Sequence, residues 1–547
     1  MDGFVAPPLY ISLLWILSVV CFAVYLIKKN YYFLHMMQQN SYRNKRFINW
    51  AWEHVNKAFY LLRDLGPVFA IQIIRFVEGE KAMIIGLSWV LFCCAINALT
   101  YRKNAAKETK KELVMTPRAK RLNRVTNILI IAFVLLAIAP TLYMGSRIII
   151  GITLMLFGAF FALLFIVIAN IILMPLESKI NKGYEREAHQ MVISINGLKV
   201  IGITGSFGKT STKMILGEIL SKKYNTLVTP ESYNTPMGVT KTIREHLRPT
   251  HEVFVAEMGA KQKGDIKEIC DLVVPQMGII TSIGEQHLES FKTLQAIIQT
   301  KYELAQCLPP NAPLVLNFDD KNIRENIDYV PEGCRVISYG YKNSWDYYAA
   351  EIEYSPNGSL FNIHTKDGQV QEFRTVLLGR HNVYNITGAV AMAHQLGVSL
   401  EEAAKAVKTL PQVTHRLSHT TTAAGYHILD DAFNSNPVGA RAALEVLSKF
   451  KGGKRILVTP GMVEMGHKQK ELNRQFAIDA CKCCDYIILV GRGITEPLQE
   501  GLRQMNYPKK RYFVALTLKE AREELQRIIV PGDTVLFEND LPDTYTE

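Results

Sequence analysis

A chain of 547 residues is long enough for about three or four domains of ordinary size. Its formal net charge of +12 raises nucleic acid as a partner, but many of the excess cations flank apolar runs, so anionic lipid headgroups are expected and nucleic acid is not. The nine cysteines have neither disulfide nor zinc spacing (Cys93 and Cys94 sit in an apolar run, and the Cys481, Cys483, Cys484 cluster has no CxxC partner), so reduced cytosolic thiols are expected.

Hydrophobic residues make up 48% of the chain and concentrate in its first third. Leu9 to Ile27 is a run of spanning length closed by Lys28 and Lys29. Ala82 to Leu99 is a shorter, weaker candidate. Ile128 to Tyr143 and Ile148 to Leu173 read as a helical hairpin joined near Met144 to Arg147. The expectation is a membrane region over residues 1–177 with about four transmembrane helices and no cleavable signal peptide. The connection from Thr100 to Arg124 carries Arg102, Lys103, Lys107, Lys110, Lys111, Arg118, Lys120, Arg121 and Arg124 against Glu108 and Glu112, which places it in the cytoplasm. Two helices on either side of it leave residues 28–81 outside, yet Arg43, Lys45, Arg46, Lys57 and Arg63 make that stretch basic too. One run, with 82–99 the first choice, is then re-entrant or interfacial. The aromatic and cationic segment from Tyr31 to Arg63 reads either as a membrane-surface element or as a solvated connector.

The stretch from Val200 to Thr212 reads VIGITGSFGKTST. Its apolar, β-branched start predicts a buried strand ending at Ile203, and Thr210 to Leu220 predicts a helix after a glycine turn. This order presents backbone N–H groups and a helix N-terminus to an anion. Thr204, Gly205, Ser206, Gly208, Lys209, Thr210 and Ser211 are therefore candidate nucleotide-phosphate residues. Lys209 adds a mobile cation, and the hydroxyls of Thr210 and Ser211 suit Mg²⁺. The general P-loop spacing is not met, because its first glycine would fall at Ile203.

Strands alternate with helical patterns from Leu198 onward, predicting parallel α/β layers. Val253 to Ala260 reads as a buried strand that delivers Glu257 at its end. Met277 to Gly284 reads as another, leading to His287, and a helix with Lys301 and Glu303 follows. Carboxylates at strand C-termini are well placed for metal work, and Mg²⁺ takes oxygen ligands. Alone, Glu257 divides between a metal ligand and a capping carboxylate, His287 reads as a hydrogen-bonded histidine, and Lys301 as a surface lysine. Between Arg335 and Leu378, turn signals at Tyr354-SPNGS and Lys366-DGQ predict an antiparallel hairpin layer beside the main sheet. The segment from Leu378 to Gly397 reads as a helix whose N-terminus Asn382 would cap.

The TGSxGKT loop resembles that of the Mur ligase family, and further motifs follow in the family's order. Glu257-Met-Gly259 resembles its E-x-G strand end. His287-Leu-Glu resembles its histidine motif, and Lys301 in TKYEL its often carbamylated lysine. Gly379-Arg-His-Asn382 with Asn385 resembles its base-contacting segment, and Arg416 its linker arginine near Pro411. Ile428-LDDAFNSN-Pro437, with Asp431 and Asn434, and Ile456-LVTPGMVEMG resemble the branch that adds D-alanyl-D-alanine.

The resemblance covers about residues 180–547. Taken with the apolar runs before it, it implies an α/β fold in which transmembrane helices precede a P-loop central domain, 178–411, and a Rossmann-like C-terminal domain, 412–547. It implies ATP and two Mg²⁺ ions, with Lys209 on phosphate, Thr210 and Glu257 on one ion, and His287 with carbamylated Lys301 on the other. Asn382, Asn385, Arg416, Asp431 and Asn434 would hold the nucleotide. The implied reaction joins a carboxylate to an amine through an acyl phosphate. The partners would be the lipid bilayer, an amino acid or dipeptide, and a carboxylate-bearing cell-envelope precursor, lipid-linked or membrane-proximal, at a multi-pass membrane protein whose ligase domains are cytoplasmic.

Two departures stand out. Membrane helices replace the family's uridine-nucleotide domain. Val535-LFENDLPDTYTE, with Glu538, Asp540 and Asp543, replaces a K-G-S-R-type ending, which leaves the amine substrate open. Alternatives are a membrane ligase that polymerises amino acids, a transport ATPase and an inactive scaffold. A transporter gives the His287–Lys301 pair no role, and the intact Lys209, Glu257, His287 and Lys301 argue against a scaffold.

Overall fold

The computed structural model describes residues 9–54, 84–85, 87–89, 91–92, 94, 112–143, 158, 161–231, 233–285, 288–355, 358–412, 415–432, 435, 437–463 and 465–539. The chain divides into two compact units, Met1–Ile180 and Asn181–Leu541.

The described helices of the first unit are Leu9–Gln39, Asn44–Glu53, Pro117–Tyr143 and the start of Ala162–Ser194. Phe22, Tyr25, Leu26, Phe33, Phe47, Leu122, Ile130 and Ile166 form its core. Several polar groups inside the unit pair with one another, which offsets the cost of about 1–3 kcal/mol of burying such a group alone. Asn30 Nδ2 donates to Asn123 Oδ1 at 3.1 Å and Asn127 Oδ1 at 3.0 Å, and Arg121 forms a two-toothed pair with Glu177 at 2.6 and 2.8 Å.

Among the described residues, two helices are long and apolar enough to cross a membrane, Leu9–Gln39 and Ala162–Ser194, with mean hydropathies of 2.4 and 2.0. The predicted run 9–27 lies in the first, whose helix continues without a break through the start of the 31–63 segment. The run 128–143 forms the second half of Pro117–Tyr143. Most of 82–99 and the first part of 148–173 lie outside the described residues.

The second unit holds two sheets. The first has nine strands: β1 (Lys199–Thr204), β2 (Thr226–Val228), β3 (Val253–Glu257), β4 (Met277–Ile280), β5 (Pro313–Asn317), β6 (Arg335–Gly340), β7 (Tyr347–Ser355), β8 (Gly358–Thr365) and β9 (Val370–Thr375). Their order is β2-β3-β1-β4-β5-β6-β7-β8-β9. From β2 to β7 every pairing is parallel, and β7 to β9 are antiparallel. Strand β1 is apolar from Val200 to Ile203 because both faces are covered, the usual condition of a parallel strand. Ile201 and Ile203 pack with Ile215 and Leu216 on one side, while Val200 packs with Ala256 and Ile269 on the other. The predicted hairpin layer forms, but it is not a separate layer. Tyr339 and Gly340 of β6 pair in parallel with Tyr347 and Tyr348 of β7, so the hairpins extend the main sheet.

The second sheet contains β10 (Ser418–Thr421), β11 (His427–Asp431), β12 (Arg455–Thr459), β13 (Tyr486–Val490), β14 (Tyr512–Ala515) and β15 (Thr534–Glu538). Their order is β10-β11-β15-β12-β13-β14, parallel except for the β10–β11 pair. The strand latest in sequence thus lies in the middle of the sheet. All eight cysteines among the described residues are free.

Candidate active site at the ends of the parallel strands

The loop after β1 is fixed by two close approaches that only glycine permits. Gly205 has φ +148°, and a Cβ there would lie 2.1 Å from Thr281 Oγ1. Gly208 has φ +81°, and a Cβ there would lie 2.5 Å from Asn385 Oδ1. Gly208 opens the helix Lys209–Leu220. Several loop hydroxyls are spent on the protein itself: Thr204 Oγ1 donates to the Met258 carbonyl at 3.0 Å, and Ser206 Oγ to that of Gly284 at 3.0 Å. Lys209 folds back over the loop, donating to the carbonyls of Gly205 at 2.7 Å and Ser206 at 3.0 Å.

Register brings Glu257 beside this loop, since it pairs with Ile203 across β1 and β3. Thr210 Oγ1 donates to Glu257 Oε1 at 3.1 Å, and Asn234 Nδ2 donates to the same oxygen at 2.9 Å. Lys213 Nζ lies 3.1 Å from Glu257 Oε2 with both side chains buried, and it also donates to the Glu231 carbonyl. Burial pushes the Glu257 carboxyl up, but Lys213, Lys209 and the Asn234 hydrogen bond outweigh it and hold Glu257 below the usual carboxylate range. Burial brings Lys209 down to about 8, against the pull of Glu257 and with help from Arg416.

Lys301 lies in the helix Leu294–Gln306 and is 3% exposed. Burial, then the charge of Lys209, depress its amine well below the ordinary lysine range. Nearby, Glu303 accepts from the N–H groups of Gly264 and Lys267, capping the start of another helix. Lys209, Thr210, Glu257 and Lys301 therefore share one electrostatic neighbourhood, and Arg416 acts on Lys209 and Glu257 from the turn before β10.

Asn382 does not cap its helix. Gly379 takes that position, and Asn382 is buried one turn in, donating to the Leu378 carbonyl at 2.8 Å. Asn385 accepts from Thr212 Oγ1 at 3.3 Å and backs onto Gly208. Beside them His381 is brought down to about 4 by burial, then by Arg416. Asp431 lies at the end of β11, and its Oδ1 accepts from the Leu417 N–H at 3.0 Å. Ser211 is nearly buried. His287 and Asn434 fall outside the described residues. Lys468, in the loop after β12, meets Glu285, in the loop after β4, at 2.6 Å, a tie between the two sheets' domains.

Sequence reading missed Lys213 and Asn234. Lys213 stands one turn after Lys209, so its spacing put it on the same side of the helix. Asn234 stood in the quoted SYNTPMG segment, but nothing in sequence aimed it at Glu257.

Comparison with known proteins decides the family. Residues 203–393 match the Mur ligase middle domain, and residues 415–538 match the Mur ligase, glutamate ligase domain. The chain belongs to the Mur ligase family. Among its relatives, the UDP-N-acetylmuramoyl-tripeptide–D-alanyl-D-alanine ligase of Mycobacterium bovis is 34% identical over 254 residues, 46% of this chain and 49% of that protein. The Bacillus subtilis enzyme of the same name is 28% identical over 343 residues, 62% of this chain and 73% of that one. The chain thus spans about half the length of the mycobacterial relatives it matches. A crystal structure of MurF from Acinetobacter baumannii superposes with a TM-score of 0.61 at 29% identity, covering 67% of this chain and 78% of that one.

Proposed function

We propose that the chain is an ATP-dependent amide ligase of the MurF type, which adds an amino acid or a dipeptide such as D-alanyl-D-alanine to a carboxylate-bearing, peptidoglycan-type precursor at the membrane. The observation that carries this reading is the contact of Thr210 with Glu257 beneath a glycine loop that holds Lys209. A hydroxyl and a carboxylate held together at the ends of β1 and β3 are the oxygen donors Mg²⁺ takes when phosphates complete its shell. When bound, the metal offsets phosphate charge.

In this reading Lys209 leaves the loop carbonyls for the phosphates. Thr204, Gly205, Ser206, Gly208 and Ser211 shape the loop around them. The acceptor carboxylate attacks the γ-phosphorus, the bond to the β-phosphate oxygen breaks, and ADP leaves. The amine then attacks the acyl carbon, gives up a proton, and the carbon–oxygen bond to phosphate breaks. Catalysis is chiefly positioning and charge neutralisation. Lys301, buried and disposed to be neutral, is a competent nucleophile for CO₂, and its carbamate with His287 would hold a second Mg²⁺. Asn382, Asn385, Arg416, Asp431 and Asn434 form the nucleotide side. The proposed domains are 1–177, 178–411 and 412–547, with a multi-pass membrane region and cytoplasmic ligase domains. Leu9, Leu13, Ile16, Leu17 and Val20 form an exposed apolar stripe on the first helix, which supports a lipid environment.

The test is ADP release by the detergent-purified full chain, given amino acids and dipeptides together with nucleotide-linked or lipid-linked peptide acceptors. The expected result is turnover that needs both amine and acceptor and falls at least about a hundredfold in Lys209→Ala. ADP release indifferent to both substrates would overturn the ligase reading, and a ladder of products would favour a polymerising ligase.

A further inference from the structure

The second sheet places two carboxyl groups side by side. Asp431 and Glu538 are direct partners in the β11–β15 pairing, so their side chains emerge together at the strand ends. Glu538 is 0% exposed. Its Oε1 accepts from Ser435 Oγ at 2.6 Å, while its buried Oε2 has no conventional donor. Each carboxyl lies in the other's electrostatic range. Two buried carboxylates on adjacent strand ends resist ionising together.

The surroundings fix the pair in place. Asn539, at φ +68°, donates its backbone N–H to the Asp431 carbonyl at 3.2 Å and its side-chain amide to the Gly461 carbonyl at 2.6 Å. On the other side, Asp431 Oδ1 accepts from Leu417 N. His415 and Leu417 flank Arg416 with φ of +59° and +51°, conformations that non-glycine residues hold only when neighbours impose them. Asp431 is one of those neighbours. Among the described residues, the charged groups facing the pair are Arg416 and Asp430, the latter tied to His415 at 2.7 Å.

We propose that Glu538 is a positioning residue of the nucleotide site: it shares one hydrogen with Asp431 and thereby holds Asp431 against the strained segment that presents Arg416. The pair carries a single negative charge around neutral pH, which matches the single charge of Arg416. Burial raises Asp431 to about 6, held back by Arg416, the Leu417 N–H and Glu538, while burial and then the charge of Asp431 raise Glu538 well above the ordinary carboxylate range. Below that range the pair becomes neutral and Arg416 loses its counter-charge. Well above it the pair becomes doubly negative, and the strand ends repel. This rests on the nucleotide reading of the preceding section.

The experiment is calorimetric titration of the full chain with Mg²⁺-ADP across pH, using wild type, Glu538→Gln and Glu538→Ala, alongside infrared spectra in the carboxyl region. Gln keeps a donor toward Asp431 but has no proton to lose. At neutral pH Glu538→Ala is expected to weaken ADP binding about tenfold, and Glu538→Gln to recover most of it. At alkaline pH Glu538→Gln should bind more tightly than wild type. Any loss caused by Lys209 is common to both proteins, so their ratio isolates the pair. A protonated-carboxyl band should be present in wild type at neutral pH and absent in Glu538→Gln. A Gln variant as weak as the Ala variant, a pH-independent ratio, or a missing band would each overturn the proposal. If Glu538→Ala does not fold, the pH ratio and the band decide. A wild-type chain that shows the band but binds no ADP would instead fail the nucleotide reading and reduce the pair to a structural role.

Discussion

The two sheets of the second unit end in opposite charge arrangements. At the end of the first sheet, one carboxylate, Glu257, is surrounded by amines: Lys213 at 3.1 Å, with Lys209 and Lys301 in electrostatic range. At the end of the second, two carboxyls, Asp431 and Glu538, face one guanidinium, Arg416. Both arrangements use the same device, neighbouring parallel strands that end together, yet they ask for different partners. The first has cations to spare and, in the proposed function, receives polyphosphate. The second is balanced by a retained hydrogen and so adds little net field. Binding is thus assigned to one edge and alignment to the other.

The sharpest way to break this contrast is to remove Glu257. Glu257→Ala leaves Lys213 buried without its counter-charge, and the expected cost is about 3–5 kcal/mol, measured as a lower urea midpoint for the unit. Adding Lys213→Met should recover most of that loss, because the pair is then replaced by apolar volume. A single substitution costing under about 1 kcal/mol would mean that Glu257 is not the anchor of this edge.

A smaller effect follows from Lys209, which titrates near 8. Its amine is charged below that value and neutral above it, so nucleotide affinity should be highest below pH 8 and fall about tenfold by one pH unit above it. Binding at pH 8 should take up protons, visible as a dependence of the calorimetric heat on the buffer's ionisation enthalpy. Affinity that is flat from pH 7 to 9 would count against Lys209 as the phosphate cation.

The smallest effect is expected at the tie between the domains. Lys468 and Glu285 are both partly exposed, so Lys468→Ala should change stability by only about 0.2–1 kcal/mol. Its signature would be kinetic: a raised KM for ATP that high salt reproduces in the wild type.

Much of this site was legible in the sequence because its parts are local. The loop is one continuous stretch, and Glu257 announces itself as the polar end of an apolar strand. Lys301 was found only through family resemblance, since nothing in its spacing says that its helix is buried against the sheet. Lys213 escaped because a lysine one turn into a helix ordinarily points to solvent. Glu538 was noticed as a departure from the family, but its partner stands more than a hundred residues earlier, and only the insertion of β15 beside β11 joins them. The hairpins of β7 to β9 were read correctly as turns and wrongly as a separate layer, because the short parallel contact of β6 with β7 leaves no pattern of its own.

The place of β15 also has a consequence for how the protein is made. It lies between β11 and β12, although every other strand of its sheet leaves the ribosome before it. The emerging domain therefore holds two half-sheets with facing open edges, β10 with β11 and β12 with β13 and β14, until the final strand is released. Such unpaired edges invite contact with other strands. During synthesis, the open edges of this domain are exposed to other strands until β15 closes them.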